Sequence, residues 1–205
     1  VAHRDSDDHQ RRDQTVDIRR RPGPVESPTW YSFIRDFEVF PGEHQVKLVV
    51  RDTATDRVGT VVLELSVPPH DQFQFSTPIL TDILNYPPGG IGGVPALITR
   101  RTFQSGAPMY VRFDLYGAAK APDGLPVVEA GYTLRRQDGD TVRIELPSRI
   151  EPTSLGALGR LVEIPLSGVA PGEYELVLNA RDAITGQSRE RGESLSITAP
   201  TSART

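Results

Sequence analysis

The chain has 205 residues, no cysteine and a formal net charge of −4 at pH 7. Without cysteine it has no disulfide, thiolate metal site or cysteine nucleophile, and without a basic surplus we expect no nucleic-acid partner. No apolar run approaches the roughly 20 residues that a bilayer-spanning helix needs, so we predict no transmembrane segment.

The first 69 residues predict a partial β unit with a disordered start. Residues 1–13 are almost wholly polar and bury too little apolar surface to order themselves. Residues 14–20 alternate polar and apolar side chains, with Val16 and Ile18 on one face, and therefore predict a short strand.

An aromatic segment that includes Trp30 and Tyr31 leads to a turn at Pro41 and Gly42. After this turn the pattern predicts a half-buried antiparallel strand whose inner face carries four side chains, His44, Val46, Leu48 and Val50. A hairpin loop follows, and residues 59–67 return as the next strand. We expect Trp30 and Tyr31 to cover the exposed half-core of this unit.

Residues 70–199 predict a second, complete unit of about seven short strands separated by turns. Two of its strands have clear inner faces, Met109, Val111, Phe113 and Leu115 in one and Val128, Ala130, Tyr132 and Leu134 in the next. After a hairpin turn, the following strand has the predicted inner face Val142, Ile144 and Leu146. Residues 161–166 and 171–197 supply the remaining strands.

The chain repeats itself at an offset of 130 residues. Residues 41–55, with the sequence PGEHQVKLVVRDTAT, return as residues 171–185, with the sequence PGEYELVLNARDAIT. The match continues without a gap to residues 67 and 197. One structural unit therefore occurs twice.

Each position of the repeated motif has a structural role. The Pro-Gly pair supplies a turn, the ring at the fourth position enters the edge of the core, and the later aspartate accepts backbone N–H bonds from the hairpin that follows. A tyrosine at the fourth position can return its hydroxyl to nearby backbone, as in the tyrosine corner of immunoglobulin-like sandwiches. The motif residues are Pro41, Gly42, His44 and Asp52 in the first copy, and Pro171, Gly172, Tyr174 and Asp182 in the second.

The motif at residues 171–178 resembles the Pro-Gly-x-Tyr-x-[Val/Leu]-x-[Val/Leu] strand of bacterial immunoglobulin-like domains. Further segments, residues 14–18, 41–59, 113–116 and 130–136, resemble the C-terminal region of the acidobacterial proteins called VWFA-related. This resemblance implies an all-β fold. Members of that family carry an upstream von Willebrand A-type domain with an Asp-x-Ser-x-Ser metal site, and since this chain has no such run, the resemblance implies no metal-binding residue here.

These patterns predict an all-β fold of two tandem immunoglobulin-like antiparallel β-sandwich units, residues 1–69 and 70–199, with a flexible tail at residues 200–205. The repeat offset places the counterpart of residues 109–116 before residue 1, so we expect the first unit to be incomplete on its N-terminal side. Three explanations compete: an upstream piece was removed, a neighbouring chain donates the strands, or the half unit packs on the second unit.

The sequence contains no motif for catalysis or cofactor binding. It lacks Gly-x-Ser-x-Gly, His-Glu-x-x-His and Walker sequences. An acidic segment near the start has groups able to ligate a cation, but it lacks the rigid frame that a metal site needs. Those groups are His3, Asp5, Asp7, Asp8 and His9. We therefore predict a protein that is not an enzyme and has no metal or cofactor.

The candidate interaction surface consists of Trp30, Tyr31, Tyr110, Arg112 and Tyr116. The last three point outward from their strand and suit contacts with protein or sugar. We predict a non-catalytic interaction or assembly module, extracellular or periplasmic, in the envelope of a bacterium: a protein-protein scaffold or a surface or filament component that binds a protein partner or itself. The alternative is a carbohydrate-binding module with a glycan partner, or an accessory domain of a larger adhesin or enzyme.

Overall fold

The computed structural model of the chain is all-β. It describes residues 1–3, 9–17, 35–86, 88 and 92–200. Over these ranges no helix is long and apolar enough to cross a membrane. The chain divides into two compact units, Val1–His70 and Asp71–Thr205.

The first unit contains a three-stranded antiparallel sheet in the order β1-β2-β3. Its strands are β1 (Ala2–His3), β2 (Gly42–Arg51) and β3 (Val58–Val67). β2 and β3 pair along their whole length, as expected for the predicted hairpin. β1 covers only the start of β2, opposite His44 and Gln45.

The prediction of a disordered start is wrong for residues 1–3, 9 and 10, which backbone pairing holds in place. Ala2–His3 forms β1, and the backbones of Val1 and Gln10 exchange two hydrogen bonds of 2.8 Å. Pairing to β2 satisfies backbone groups there without any need for an apolar core. The predicted strand at residues 14–20 is also wrong over residues 14–17, which are exposed and lie outside any strand, whereas residues 18–20 lie outside the described residues.

The second unit contains two main sheets. Its strands are β4 (Gln74–Phe75), β5 (Ile79–Thr81), β6 (Leu84–Asn85), β7 (Val94–Pro95), β8 (Thr102–Gln104), β9 (Pro108–Tyr116), β10 (Val128–Arg136), β11 (Thr141–Ile150), β12 (Leu158–Pro165), β13 (Gly172–Asp182) and β14 (Ser188–Thr198). One sheet has the order β11-β10-β13-β14-β8, and the other has the order β12-β9-β4 with β5 also beside β9. All pairs in these sheets are antiparallel except β14 with β8.

Side chains from both sheets meet in one core, which makes the second unit a β-sandwich. The predicted inner faces of β9 and β10 are confirmed, since all eight predicted side chains on these two strands are buried. β13 and β14, which contain the second repeat copy, add Leu176, Leu178, Leu195 and Ile197 to this core. Within the core, Phe75 packs edge-to-face on Phe113 with ring centroids 5.3 Å apart.

The predicted inner face of β11 is wrong. Ile144 and Leu146 are exposed, and Val142 is only half-buried. The register between β10 and β11 shifts twice and places Ile144 opposite Thr133, which is on the outward side of β10. Such bulges reverse which side chains of a strand face the core, because the side-chain period of a strand is two.

Polar side chains take the inward positions of β11 instead. Arg143 donates to the backbone carbonyls of Pro165, at 3.1 Å, and Ser167. Glu145 pairs with the guanidinium of Arg160 on β12. These interactions link the two sheets along the side of the sandwich that β11 borders.

Candidate interaction surfaces

The Pro-Gly corner of each repeat copy is built in the same way. In the second copy the Tyr174 hydroxyl donates to the carbonyl of Ala170 at 2.6 Å, as a tyrosine corner does. In the first copy Nε2 of the buried His44 lies 2.7 Å from the carbonyl oxygen of Phe40, the position equivalent to Ala170. An imidazole therefore replaces a phenol at the same corner, and both side chains anchor the turn to the start of the following strand.

The aspartate of each copy caps the hairpin loop that follows. Asp182 is buried and accepts the N–H groups of Ala119, Ile184 and Thr185 at 2.9, 2.8 and 3.2 Å. Burial alone would raise the pKa of Asp182, but these hydrogen bonds outweigh it and hold the pKa below its ordinary value. The carboxylate therefore fixes two loops in its ionised form.

The loop of the first copy is held in a similar but solvent-exposed way. Asp52 accepts a hydrogen bond from the Thr55 hydroxyl at 2.6 Å and from the N–H of Ala54 at 2.9 Å. The bond from the Thr55 hydroxyl, followed by that from Ala54, lowers the pKa of Asp52. In both copies the motif residues therefore support the architecture of the hairpin.

One apolar face of the β2–β3 hairpin is exposed. We call it the open face and define it by the cross-strand neighbours Val46, Leu48, Val50, Val61, Leu63 and Leu65. Leu48 is 57% exposed and Val50 is 61% exposed. The prediction of a half-buried strand therefore holds for His44 and Val46 and is wrong for Leu48 and Val50, because alternation identifies an apolar side without showing that a second layer covers it.

The second repeat copy shows the same face in a covered state. Leu176 and Leu178, the counterparts of Val46 and Leu48, are fully buried. The side chains that share their core include Met109, Val111, Phe113 and Leu115 of β9. In the second unit a second sheet thus supplies the cover that the described part of the first unit does not.

The opposite face of the hairpin carries its charged side chains, interspersed with the exposed Val49, Val58 and Val62. Gln45 donates to the Glu64 carboxylate at 3.0 Å, and Nε of Arg51 donates to Asp56 at 2.7 Å. Lys47 lies on the same side. Charge is therefore concentrated on one face of the hairpin, and the open face carries none.

A second candidate surface is the outward side of β9. It carries Tyr110, Arg112, Asp114 and Tyr116. Nη2 of Arg112 lies 2.6 Å from Oδ1 of Asp114, and Tyr116 is 46% exposed. Desolvation raises the pKa of the Tyr110 phenol, and the neighbouring Glu163 and Tyr86 raise it further. We call this the tyrosine face and include Tyr86 and Glu163 in it.

Gly159 on β12 makes room for the ion pair of the tyrosine face. It lies opposite Asp114, and a Cβ atom at this position would clash with the Arg112 guanidinium and lie 2.5 Å from Oδ1 of Asp114. Nε of Arg112 is buried and has no hydrogen-bond partner within the described part of the chain. The absence of a side chain at Gly159 therefore lets the guanidinium lie close against β12.

Three of the predicted interaction residues, Tyr110, Arg112 and Tyr116, share the tyrosine face. The other two, Trp30 and Tyr31, lie outside the described residues. No motif marks Tyr86, which is 72% exposed and precedes a Gly- and Pro-rich segment. The open face corresponds to the half-core that the sequence predicts to be left exposed by the incomplete first unit.

Among the described residues, no group of three or more histidine, aspartate or glutamate side chains is placed to hold a metal ion. In comparisons with known proteins, no family model matches the chain, and no curated protein matches it significantly. The similarity to the VWFA-related proteins therefore stays a prediction from the residues that carry it.

Proposed function

We propose that the chain is a non-catalytic interaction or assembly module of the bacterial cell exterior or periplasm, and that the open face is its main contact surface. The observation that carries this proposal is the difference between two equivalent residues: Leu48 is 57% exposed, whereas Leu178 is fully buried. Soluble proteins rarely expose contiguous apolar patches unless these bind something.

The hairpin also suits this role because its edge is open. β3 is the last strand of its sheet in the described part of the chain, and Glu64 is its only charged side chain. Edge strands that must avoid partners usually carry proline, lysine or several charges. β3 has none of these protections, which favours contact with another polypeptide.

The strand order of the second unit supports an immunoglobulin-like identity, which we include in the proposal. Its five-stranded and four-stranded sheets, together with the corner bond of Tyr174, resemble the pattern of such sandwiches. Folds of this kind commonly serve as rigid carriers of binding surfaces. The buried imidazole and carboxylate among the described residues, His44 and Asp182, both hold turns, which favours a non-catalytic role.

A photochemical cross-linker attached to Leu48→Cys tests this function, with Val49→Cys as the matched control. The two residues are adjacent and similarly exposed, at 57% and 54%, but only Leu48 lies on the open face. We expect polypeptide adducts, identified by mass spectrometry after irradiation in the extracytoplasmic fraction of the producing cells, to form at position 48 and not at position 49. Equal adducts at both positions, or none, would contradict the proposal.

A carbohydrate-binding role is the second candidate, and the tyrosine face is the observation that favours it. Tyr116 is exposed two residues after Asp114 on the same side of β9, and the exposed Tyr86 lies near Tyr110. Exposed rings near the fixed Arg112–Asp114 pair suit the stacking of sugars. A glycan array probed with the wild-type protein and with Tyr116→Ala tests this role. Binding that is lost in the variant would support it, and an array without signal would remove it.

A further inference from the structure

We infer that the occupant of the open face is a second copy of this chain, so that two open faces pack on each other as the two layers of a small β-sandwich. This inference rests on the proposed function and names its partner. The open face consists only of valine and leucine side chains, and it is therefore complementary to itself. An interface in which the same patch serves on both subunits is the usual form of a twofold dimer.

The two repeat copies differ at two positions of the apolar face. Val61 and Leu63 of the first copy correspond to Arg191 and Glu193 of the second. In the second unit Glu193 pairs with Arg191 at 3.0 Å and also lies 3.9 Å from Arg101, so charged groups border the core there. The first copy replaces both charges by apolar side chains, which extends the open face to the edge of the hairpin.

An apolar partner layer explains this replacement. Burying an unpaired charge costs far more than burying a valine or leucine, so a face that is covered to its edge cannot keep the charges of the second copy without partners. The polar groups of the first hairpin, Gln45, Lys47 and Glu64, all lie on its other side. The other side also carries the exposed Val49, Val58 and Val62, so what distinguishes the open face is that it has no charged side chain.

Packing of the two open faces covers more apolar surface than pairing of the two β3 edges does. Pairing two β3 edges would satisfy backbone groups but would leave both open faces in water. Packing the faces covers six apolar side chains from each copy, a total area on the order of 1,000 Å², which is at the lower limit for a specific interface. We therefore expect a reversible dimer that forms at micromolar concentration.

Sedimentation velocity on the full chain, from low to high micromolar concentration, tests the inference. The wild type should pass from monomer to dimer. Leu48→Asp should weaken dimerisation by more than about tenfold, because each dimer would bury two unpaired carboxylates. Val49→Asp, on the other side of the same strand, should leave the dimer constant unchanged within about threefold.

A second measurement does not require a charge to be placed in the hairpin. The chain has no cysteine, so Leu48→Cys and Val49→Cys each provide a single thiol for labelling. Labelling of position 48 should slow as protein concentration rises, and labelling of position 49 should not. A dimer that survives Leu48→Asp, with equal protection at both positions, would overturn the inference.

A protein that stays monomeric at high concentration would also overturn it, and labelling then separates the inference from the proposed function. Rapid labelling at position 48 in the monomer would show that the open face is available to a different protein. Only the identification of the partner as a second copy of this chain would then be wrong. Slow labelling at position 48 in the monomer would show that the chain covers its own face, and both proposals would fail.

Discussion

The Tyr174 hydroxyl donates a hydrogen bond of 2.6 Å to the carbonyl of Ala170, four residues earlier, and thereby ties the ring of the corner to the turn before it. The ring itself is buried in the core of the second unit. The same corner in the first unit uses His44 and the carbonyl of Phe40. This bond makes Tyr174 the residue that joins the turn chemistry of the motif to the packing of the sandwich.

Removal of the Tyr174 ring should therefore destabilise the second unit strongly. We expect Tyr174→Ala to cost about 3 to 5 kcal/mol, as for other buried aromatic residues, and Tyr174→Phe to cost about 1 kcal/mol through the lost hydrogen bond. Tyr110→Ala, on the outward side of β9, is the control and should cost clearly less than Tyr174→Ala. Urea unfolding measures all three, and equal midpoints for Tyr174→Ala and Tyr110→Ala would reject the strand register.

Asp182→Asn should make the stability of the protein less dependent on acid pH. The pKa of Asp182 is lower in the folded state than in the unfolded state, so the unfolded state binds more protons as the pH falls. The contribution of this carboxylate is thus fully present above its unfolded value, near pH 4, and is lost as the pH falls through the lower folded value. We expect Asp182→Asn to cost about 1 to 3 kcal/mol at pH 7 and much less at the acid end. Urea midpoints across this range that stay parallel to the wild type would contradict the role of the ionised form.

Two glycines on neighbouring parts of the second unit should respond differently to alanine. A Cβ at Gly131 would clash with the backbone carbonyl of Glu145 and lie 2.8 Å from the nitrogen of Pro147, so the bulge between β10 and β11 would have to move. We expect Gly131→Ala to cost about 1 to 3 kcal/mol. Gly159→Ala meets the end of the flexible Arg112 side chain and should cost less. Thermal unfolding of both variants tests this order, and the reverse order would show that the bulge is not rigid.

Residues 71–200 should fold alone, whereas residues 1–70 should not form a cooperative monomer. The second segment contains both layers of its sandwich and all residues of its core cluster. The first has one described sheet, and a hairpin with a small third strand is at most marginally stable in water. Amide dispersion in NMR spectra of the two separate segments measures this. A well-dispersed monomeric spectrum for residues 1–70 would show that the open face is covered within that segment.

Alternation in the sequence was sufficient to predict the core of the second unit, because β9 and β10 are central strands with partners on both sides. It failed for Ile144 and Leu146, since the register shift between Leu134 and Arg135 turns this part of β11 over, and the shift between Ala130 and Tyr132 then restores the facing, so that Ile150 is buried. It also gave no sign of β8, which has only three residues and pairs in parallel with β14. At the open face alternation indicated which side of β2 is apolar, and only the repeat offset indicated that the covering layer is missing, because cover depends on distant segments.

The exposure of the open face is tested most directly by comparing the two equivalent leucines of the repeat. Leu48→Cys and Leu178→Cys place single thiols at matching positions in β2 and β13, and their labelling rates can be measured in dilute solution, where association is negligible. If the open face is a contact surface, the thiol at position 48 should react at a rate close to that of an unfolded peptide, while the thiol at position 178 should react only upon unfolding. Equal protection of both thiols in dilute solution would contradict the account, because it would mean that the hairpin is already covered in the isolated chain.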